Sequence, residues 1–312
     1  MIIEIHAQGK KKKYYLAHSF RDGKKVKKIR RYLGADLSED QLRKLRGRAE
    51  EIIREQVNVY KSIADPLKHV LTEKELDFMR QLEAMGHIDI NHLSEEGWKQ
   101  FTESFTYNTN AIEGSTVNQA EVKEILEQDI WPRDIPKEDI SEIYGVATAI
   151  EHIRKTKEHI SLELIKKLHS IVFKNSKTFA GQFRKKGIEV VIRDASGNIV
   201  HHGAPANRII GLLKELIAWY QKHKRRYPPI LLAAVLHNQF ENIHPFQDGN
   251  GRVGRLLLNN VLLKHNLPPV NIHLKNRREY YKALQAYQNE GNIRPTIGLI
   301  LKEYREWKKE WK

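Results

Sequence analysis

Residues 244–255 read HPFQDGNGRVGR, placing a base, an acid, two glycines and two arginines in one short arc. Gly249 and Gly251 are both expected to take φ > 0 and turn their backbone N–H groups inward as a nest. The run that follows, VGRLLLNNVLL, puts Val253, Leu256, Leu257 and Val261 at helical spacing. A helix is therefore expected over 251–265, with the nest at its N-terminus, where open N–H groups and the dipole favour an anion. Arg252 and Arg255 are three apart, share a face, and are expected to grip neighbouring phosphates. Asp248 on the same turn suits Mg²⁺, which is commonly held by one carboxylate and phosphate oxygens. His244, with an ordinary pKa near ~6.5, suits proton abstraction at neutral pH. Pro245 prevents the preceding helix from running through the loop.

Two lookalikes fail on context. Gly249, Gly251 and Gly254 formally match G-x-G-x-x-G, but a dinucleotide turn needs a strand before it and an acid about 20 residues after it. Here PPILLAAVLHNQFENI reads as helix, and residues 265–278 hold no Asp or Glu. No G-x-x-x-x-G-K-[ST] occurs, which removes a P-loop. A plain helical joint is the remaining alternative, and such a joint has no reason to collect His, Asp, Asn and two spaced arginines.

The arc resembles the Fic-domain signature H-P-F-x-[D/E]-G-N-G-R-x-x-R at every fixed position. The resemblance implies a mainly α, Fic-type helical bundle that transfers AMP from ATP to a protein hydroxyl. It implies His244 as the base and Asp248 as the Mg²⁺ residue. Asn250 with the Gly249–Gly251 amides would form the anion hole, and Arg252 and Arg255 would bind the β- and γ-phosphates. Phosphorylating relatives carry Lys at the position of Gly251, so Gly251 favours nucleotidyl over phosphoryl transfer.

Residues 109–114, TNAIEG, are similar to the family's inhibitory motif [S/T]-x-x-x-E-[G/N], through Thr109, Glu113 and Gly114. A carboxylate delivered to Arg255 would occupy the place of the γ-phosphate. By itself this pattern is equally a helix C-terminus with a glycine cap. Resemblance to bifunctional members also implies that Glu113 orients a water for AMP removal. A third segment, GQFR at 181–184, precedes KKGIEVVIRDASGNIVHHGAP. There, alternating Ile188, Val190 and Ile192 with a Ser196–Gly197 turn predict a β-hairpin. In the family such a hairpin is a flap that registers the target by strand pairing. Arg184 is expected either to orient the flap or nucleotide, or to form a structural ion pair. RREYYKAL at 277–284 matches the helix that lies against the base, with Tyr280 or Tyr281 stacking there or serving as core.

Composition bounds the rest. The chain has 312 residues, no cysteine and a net charge of +15, which excludes disulfides and thiolate catalysis. It has no apolar run of ~18 residues, and its basic run follows a short apolar start, the wrong order for a signal peptide. A cytoplasmic location is expected. Residues 1–34 hold eleven Lys/Arg against Glu4 and Asp22. IIEIHA, KYYLAHSF, an RDGKK turn and VKKIRRYLG predict a two- or three-stranded unit. With Tyr14, Tyr15 and Tyr32 it suits nucleic acid or an acidic partner; the alternative is a lysine-guarded edge. Capping boxes are expected at Ser38–Gln41, Thr72–Glu75 and Asn118–Glu121. His237 is expected to pack or cap rather than ligate a metal.

The organisation expected is a small basic β-hairpin plus helix unit over 1–62, a helical part with the inhibitory motif over 63–160, and the catalytic core with C-terminal helices over 161–312. The function expected is ATP–Mg²⁺-dependent protein adenylylation, autoinhibited by Glu113 on Arg255, with a target bearing Tyr, Thr or Ser. The alternatives are an enzyme that mainly removes AMP, or a nucleic-acid-binding regulator that keeps the fold as a nucleotide sensor. A homodimer is a further partner this reading allows.

Overall fold

The computed structural model describes residues 1–9, 11–22, 25–64, 66–67, 71–85, 94–193 and 199–310. Three strands come first: β1 (Ile2–Gln8), β2 (Lys11–Asp22) and β3 (Lys25–Ala35). Six helices follow: α1 (Glu39–Ala64), α2 (Glu73–Met85), α3 (Glu95–Ile112), α4 (Gln119–Gln128), α5 (Lys137–Lys155) and α6 (Leu162–Phe173). A hairpin of β4 (Val191–Arg193) and β5 (Ile199–His202) then leads to α7 (Ile209–His223), α8 (Pro229–Ile243), α9 (Asn250–Lys264), α10 (Arg277–Glu290) and α11 (Arg294–Glu310). The fold is mainly α.

The helix starts follow the expected chemistry. Gln41 N–H donates to Ser38 Oγ at 3.3 Å while Gln41 Oε1 accepts from Ser38 N–H at 2.9 Å. Thr72–Glu75 and Asn118–Glu121 close the same reciprocal box. Pro229 opens α8 at its first turn, where a missing N–H costs nothing. From Ile230 to Ile243 every residue of α8 is buried, and α9 is nearly so. A helix buried on all sides, its polar side chains included, belongs in the middle of a bundle. α8 and α9 are that middle, and the 244–249 loop joins them.

The sheet order is β1-β2-β3, antiparallel throughout. Ile3 pairs with Leu16 and Leu16 with Arg31, and a bulge at Tyr14/Tyr15 shifts the register once. Leu16, Phe20 and Ile29 lie on the inner face, packed toward α1, where Phe20 meets Tyr60 at 5.2 Å. One buried cluster runs from Leu16 through α3, α6, α8 and α9 to Ile300. The second hairpin begins later than the alternation predicts: among the described residues Val191–Arg193 pairs with Ile199–His202, while Val190 precedes the strand and accepts from Gly203 N–H at 3.1 Å. The Ser196–Gly197 turn and the Gly23–Lys24 centre of the RDGKK turn lie outside the described residues.

Candidate active site

The chain leaves α8 through His244, whose φ of 51° ends the helix in the left-handed region. That conformation is costly for a residue with a Cβ, by ~1–2 kcal/mol, and needs support. Arg184 supplies it. Its Nε donates to His244 O at 2.8 Å and its Nη1 to Ile188 O at 3.1 Å, while Nη2 donates to the carbonyls of Ala204 and Ile243. Arg184 thus spends these donors on backbone carbonyls. It clamps the backbone of the loop to the base of the hairpin. Arg184→Leu should lower unfolding free energy by about 2–4 kcal/mol, because several buried carbonyls lose a charged donor. Urea denaturation reads this directly, and a change below ~0.5 kcal/mol would contradict the clamp.

Clamped in this way, the His244 ring donates Nδ1–H to Glu241 O at 3.2 Å, which leaves Nε2 with its lone pair.

The anion turn is built differently from the expectation on two points. Gly249 alone is left-handed, with φ 79°, and a Cβ there would overlap the Phe173 ring. Gly251 is an ordinary helical residue, and its missing side chain matters for another reason: a Cβ would overlap the Glu113 carboxylate. Asn250 turns its carboxamide onto the loop. Its Oδ1 accepts from Phe246 N–H at 2.8 Å and its Nδ2 donates to Phe246 O at 3.0 Å. What Asn250 offers an anion is therefore its backbone N–H, with those of Gly251 and Arg252, all in the first turn of α9 and without intrahelical partners. Asp248 is about half exposed, at 48%, with Oδ1 accepting from Gly249 N–H at 2.6 Å and Oδ2 at 3.2 Å from Lys177 Nζ. Burial alone would raise its pKa, but Arg252 and Lys177 outweigh that and hold it below the usual carboxylate range. A single ionised carboxylate opening on an anion turn fits Mg²⁺ shared with phosphates.

Each arginine has its own carboxylate. Arg252 pairs with Glu142 of α5, donates to Asn110 Oδ1 at 3.3 Å and lies 4.5 Å over the Phe173 ring. Arg255, 2% exposed, donates from Nε to Thr109 Oγ1 at 2.8 Å, and from Nη2 to Thr109 O at 2.9 Å and to Glu113 Oε1 at 2.7 Å. Glu113 caps α3, and Gly114 follows at φ 104°, so the cap reading and the inhibitory reading describe one and the same turn. Burial pushes the Glu113 carboxyl up, yet Arg255 and Arg252 overcome it and keep the group ionised.

A cavity of about 420 Å³ opens here, lined by Glu113, Glu241, His244, Asp248–Gly251, Tyr280, Tyr281 and residues 189–191 of the hairpin. Tyr280 lies in its floor, accepting from Arg255 Nη1 at 3.4 Å and meeting His237 Nε2 at 2.9 Å. Burial holds His237 down at about 4, so it is neutral and packs, as the sequence suggests. Tyr281 reaches Ile112 O at 3.5 Å.

Four site residues escape the sequence reading: Glu142, His169, Lys177 and Glu241. His169 accepts from Gly181 N–H at Nδ1 and so donates from Nε2 to Asp248 O, tying α6 to the turn. Only the three-residue spacing of Glu241 to His244 was open to reading. Glu241 is 4% exposed, with Oε2 3.7 Å from His244 Nδ1. Burial, then the charge of Glu113, push its pKa to about 8, from an ordinary 4.5, against the pull of Arg255. The unfolded chain therefore loses this proton first. Below the ordinary value the group is neutral in both states and carries no penalty; as pH climbs toward 8 the folded state increasingly bears one. Glu241→Gln should accordingly gain on the wild type by a few kcal/mol between pH 5 and 8, on the order expected for a shift of this size. Urea midpoints at the two pH values check it; a constant difference would mean that Glu241 is charged in the fold.

Comparisons with known proteins agree with this geometry. A family profile described as Fic/DOC family matches residues 159–262. The protein adenylyltransferase Fic of Aedes aegypti is 33% identical over 200 residues, covering 62% of this chain and 38% of that one. The chain thus spans well under half the length of the curated relatives it matches. The solved structure of Fic-1 from C. elegans aligns with a TM-score of 0.64 at 23% identity, covering 87% of this chain and 85% of the other. A structure of IbpAFic2 covalently tethered to Cdc42 aligns at 0.52 and 13% identity, covering 87% and 84%. The fold is shared with both.

Proposed function

We propose that this chain, which carries a Fic/DOC-family domain over residues 159–262, is a protein adenylyltransferase held off by its own third helix. The observation that carries the reading is the 2.7 Å contact of Glu113 with Arg255, inside the cavity that holds His244 and the anion turn. The curated relatives named protein adenylyltransferase support the transfer of AMP, and the tethering of IbpAFic2 to Cdc42 supports a protein acceptor.

In this reading ATP lays its phosphates along the first turn of α9, against backbone N–H groups and the side chains of Arg252 and Arg255. The target segment pairs with the β4–β5 hairpin, which fixes its hydroxyl at the cavity mouth. His244 Nε2 takes the hydroxyl proton, and the oxygen forms a bond to the α-phosphorus. The bond from that phosphorus to the bridging oxygen breaks and pyrophosphate leaves. Asp248 would hold Mg²⁺, which neutralises charge developing on the phosphates. Glu113 opposes all this by occupying the position that a γ-phosphate would take on Arg255. ATP can then lie only in a displaced pose, and errors of ~1 Å at the reacting centre cost ~10²-fold.

The ionised Glu113 bordering the cavity also favours a second activity, orientation of a water that releases AMP from a modified protein. Intact-mass analysis of Glu113→Gly with each of the four NTPs tests the main reading. Self-modification by one AMP is expected with ATP. A protein left unmodified by every nucleotide, and unable to label any acceptor in a cell extract, would sink it. Release of AMP from that modified protein by wild type but not by Glu113→Gly would establish the second activity.

A further inference from the structure

The three-stranded sheet has two unlike faces. Leu16, Phe20 and Ile29 are buried on the inner face, where Arg31 is paired with Glu189 at 2.7 and 2.8 Å and Lys27 with Glu215 at 3.6 Å. The register puts the alternate residues on the other face. Glu4 pairs with Tyr15 and Tyr15 with Tyr32; His6 pairs with Lys13, Ala17 with Arg30, Ser19 with Lys28 and Arg21 with Val26. Two properties of this outer face stand apart from an ordinary solvated surface.

One is a row of rings across all three strands. His6 lies 5.1 Å from Tyr15, and Tyr15 lies 5.3 Å from Tyr32. Tyr32 is 51% exposed, with Ile2 and Val26 still more open on the same face. The other is the charge around the rings. By the register Lys13 and Arg30 are next to the rings, with Lys11, Lys28 and Arg21 farther along the same face, and among the described side chains of this face Glu4 is the carboxylate that answers, bonded to Lys28 and Arg30. Edge protection does not explain this pattern, because Lys11, Lys13 and Arg21 belong to β2, the middle strand, which has no open edge to guard. Exposed rings and apolar side chains within a cationic rim match a polyanion that also carries flat apolar groups.

We infer that the outer face of the β1–β2–β3 sheet docks nucleic acid, its cations on phosphates and Tyr32 with its neighbours against bases or sugars. On this face Lys11 and Lys13 of β2 stand about 7 Å apart, as do Lys28 and Arg30 of β3, two cation pairs suited to a backbone charged at every nucleotide. The axes of the outer strands lie about 10 Å apart at the usual strand spacing, so one strand of nucleic acid reaches the rings and the flanking cations together. The inner-face ion pairs to Glu189 and Glu215 lie on the opposite side of the sheet, so docking leaves them intact.

Fluorescence anisotropy of the full chain with a labelled single strand, the matching duplex, and polyglutamate of equal charge tests the surface. One or both nucleic-acid probes should bind, and affinity should fall on the order of 10²-fold between 50 and 200 mM salt, as for about four phosphate contacts. Lys11→Glu/Lys13→Glu should weaken binding at least ~10-fold and flatten the salt slope. Tyr32→Ala should weaken it roughly 5–10-fold with the slope unchanged, because stacking is not a charge effect. Circular dichroism should show the fold of these surface variants unaltered. The inference is overturned if neither nucleic acid binds at low salt, if the variants bind like wild type, or if polyglutamate binds as tightly, which would assign the face to an acidic protein. The surface is independent of adenylylation, so an inactive enzyme that still binds leaves it standing.

Discussion

Glu113→Gly should raise AMP transfer on the order of 10²-fold over the wild-type chain, read with α-labelled ATP and the chain's own labelling as the acceptor signal. The magnitude follows from what the carboxylate displaces. Arg255 lies buried behind the cavity wall, and Glu113, which lines the cavity, takes its Nη2 with Oε1 at 2.7 Å. Both groups are ionised, since the field of Arg255 and Arg252 overcomes the burial of Glu113. Removing the carboxylate returns that nitrogen to a phosphate and restores the aligned pose. The variant also leaves Arg255, 2% exposed, without its counter-charge, which is destabilising until an anion replaces it. ATP should therefore lift the thermal midpoint of Glu113→Gly more than that of wild type. Equal transfer by both proteins, together with equal ATP shifts, would refute the inhibitory role.

His244→Ala, built into the Glu113→Gly chain, should lower transfer by ~10³-fold or more while ATP binding persists. General-base removal costs ~10²–10⁴-fold, and among the described residues no neighbour is placed to replace this one. The alternative acid, Glu241, lies behind the ring, on Nδ1 and away from Nε2, and is neutral at pH 7 with its pKa pushed to about 8. The measurement separates binding from chemistry. An ATP titration by thermal shift should match the parent, and the transfer rate should collapse. Undiminished labelling by the double variant would remove His244 from the proton transfer.

The helices were open to reading from capping boxes and periodicity because those signals are local. Ser38–Gln41, Thr72–Glu75 and Asn118–Glu121 each close within three residues. The motif arc was legible for the same reason, since one turn carries His244, Asp248 and the start of α9. Where the reading went astray, a distant element was the cause. Gly251 looked like a second left-handed nest residue, but its lost Cβ makes room for Glu113 of α3, 138 positions earlier in the chain. Asn250 looked like an anion ligand until Phe246 took both ends of its carboxamide. Arg184 took the flap-orienting one of its expected roles, through backbone carbonyls that no side-chain pattern announces.

By itself the sequence determined the helical class, the turn that puts His244 and Asp248 at the head of a helix, and the pairing of TNAIEG with Arg255 as a possibility of charge. The tertiary structure decided which arginine meets which acid: Glu142 from α5 holds Arg252, while Glu113 from α3 holds Arg255. It also decided that Glu241 is buried beneath His244, which pushes its pKa to about 8, and that a row of rings crosses the outer face of the sheet. The division has one physical reason. Caps and turns are settled by bonds that close within a few residues, whereas counter-charges, burial and shared faces depend on which distant segments the packing brings together.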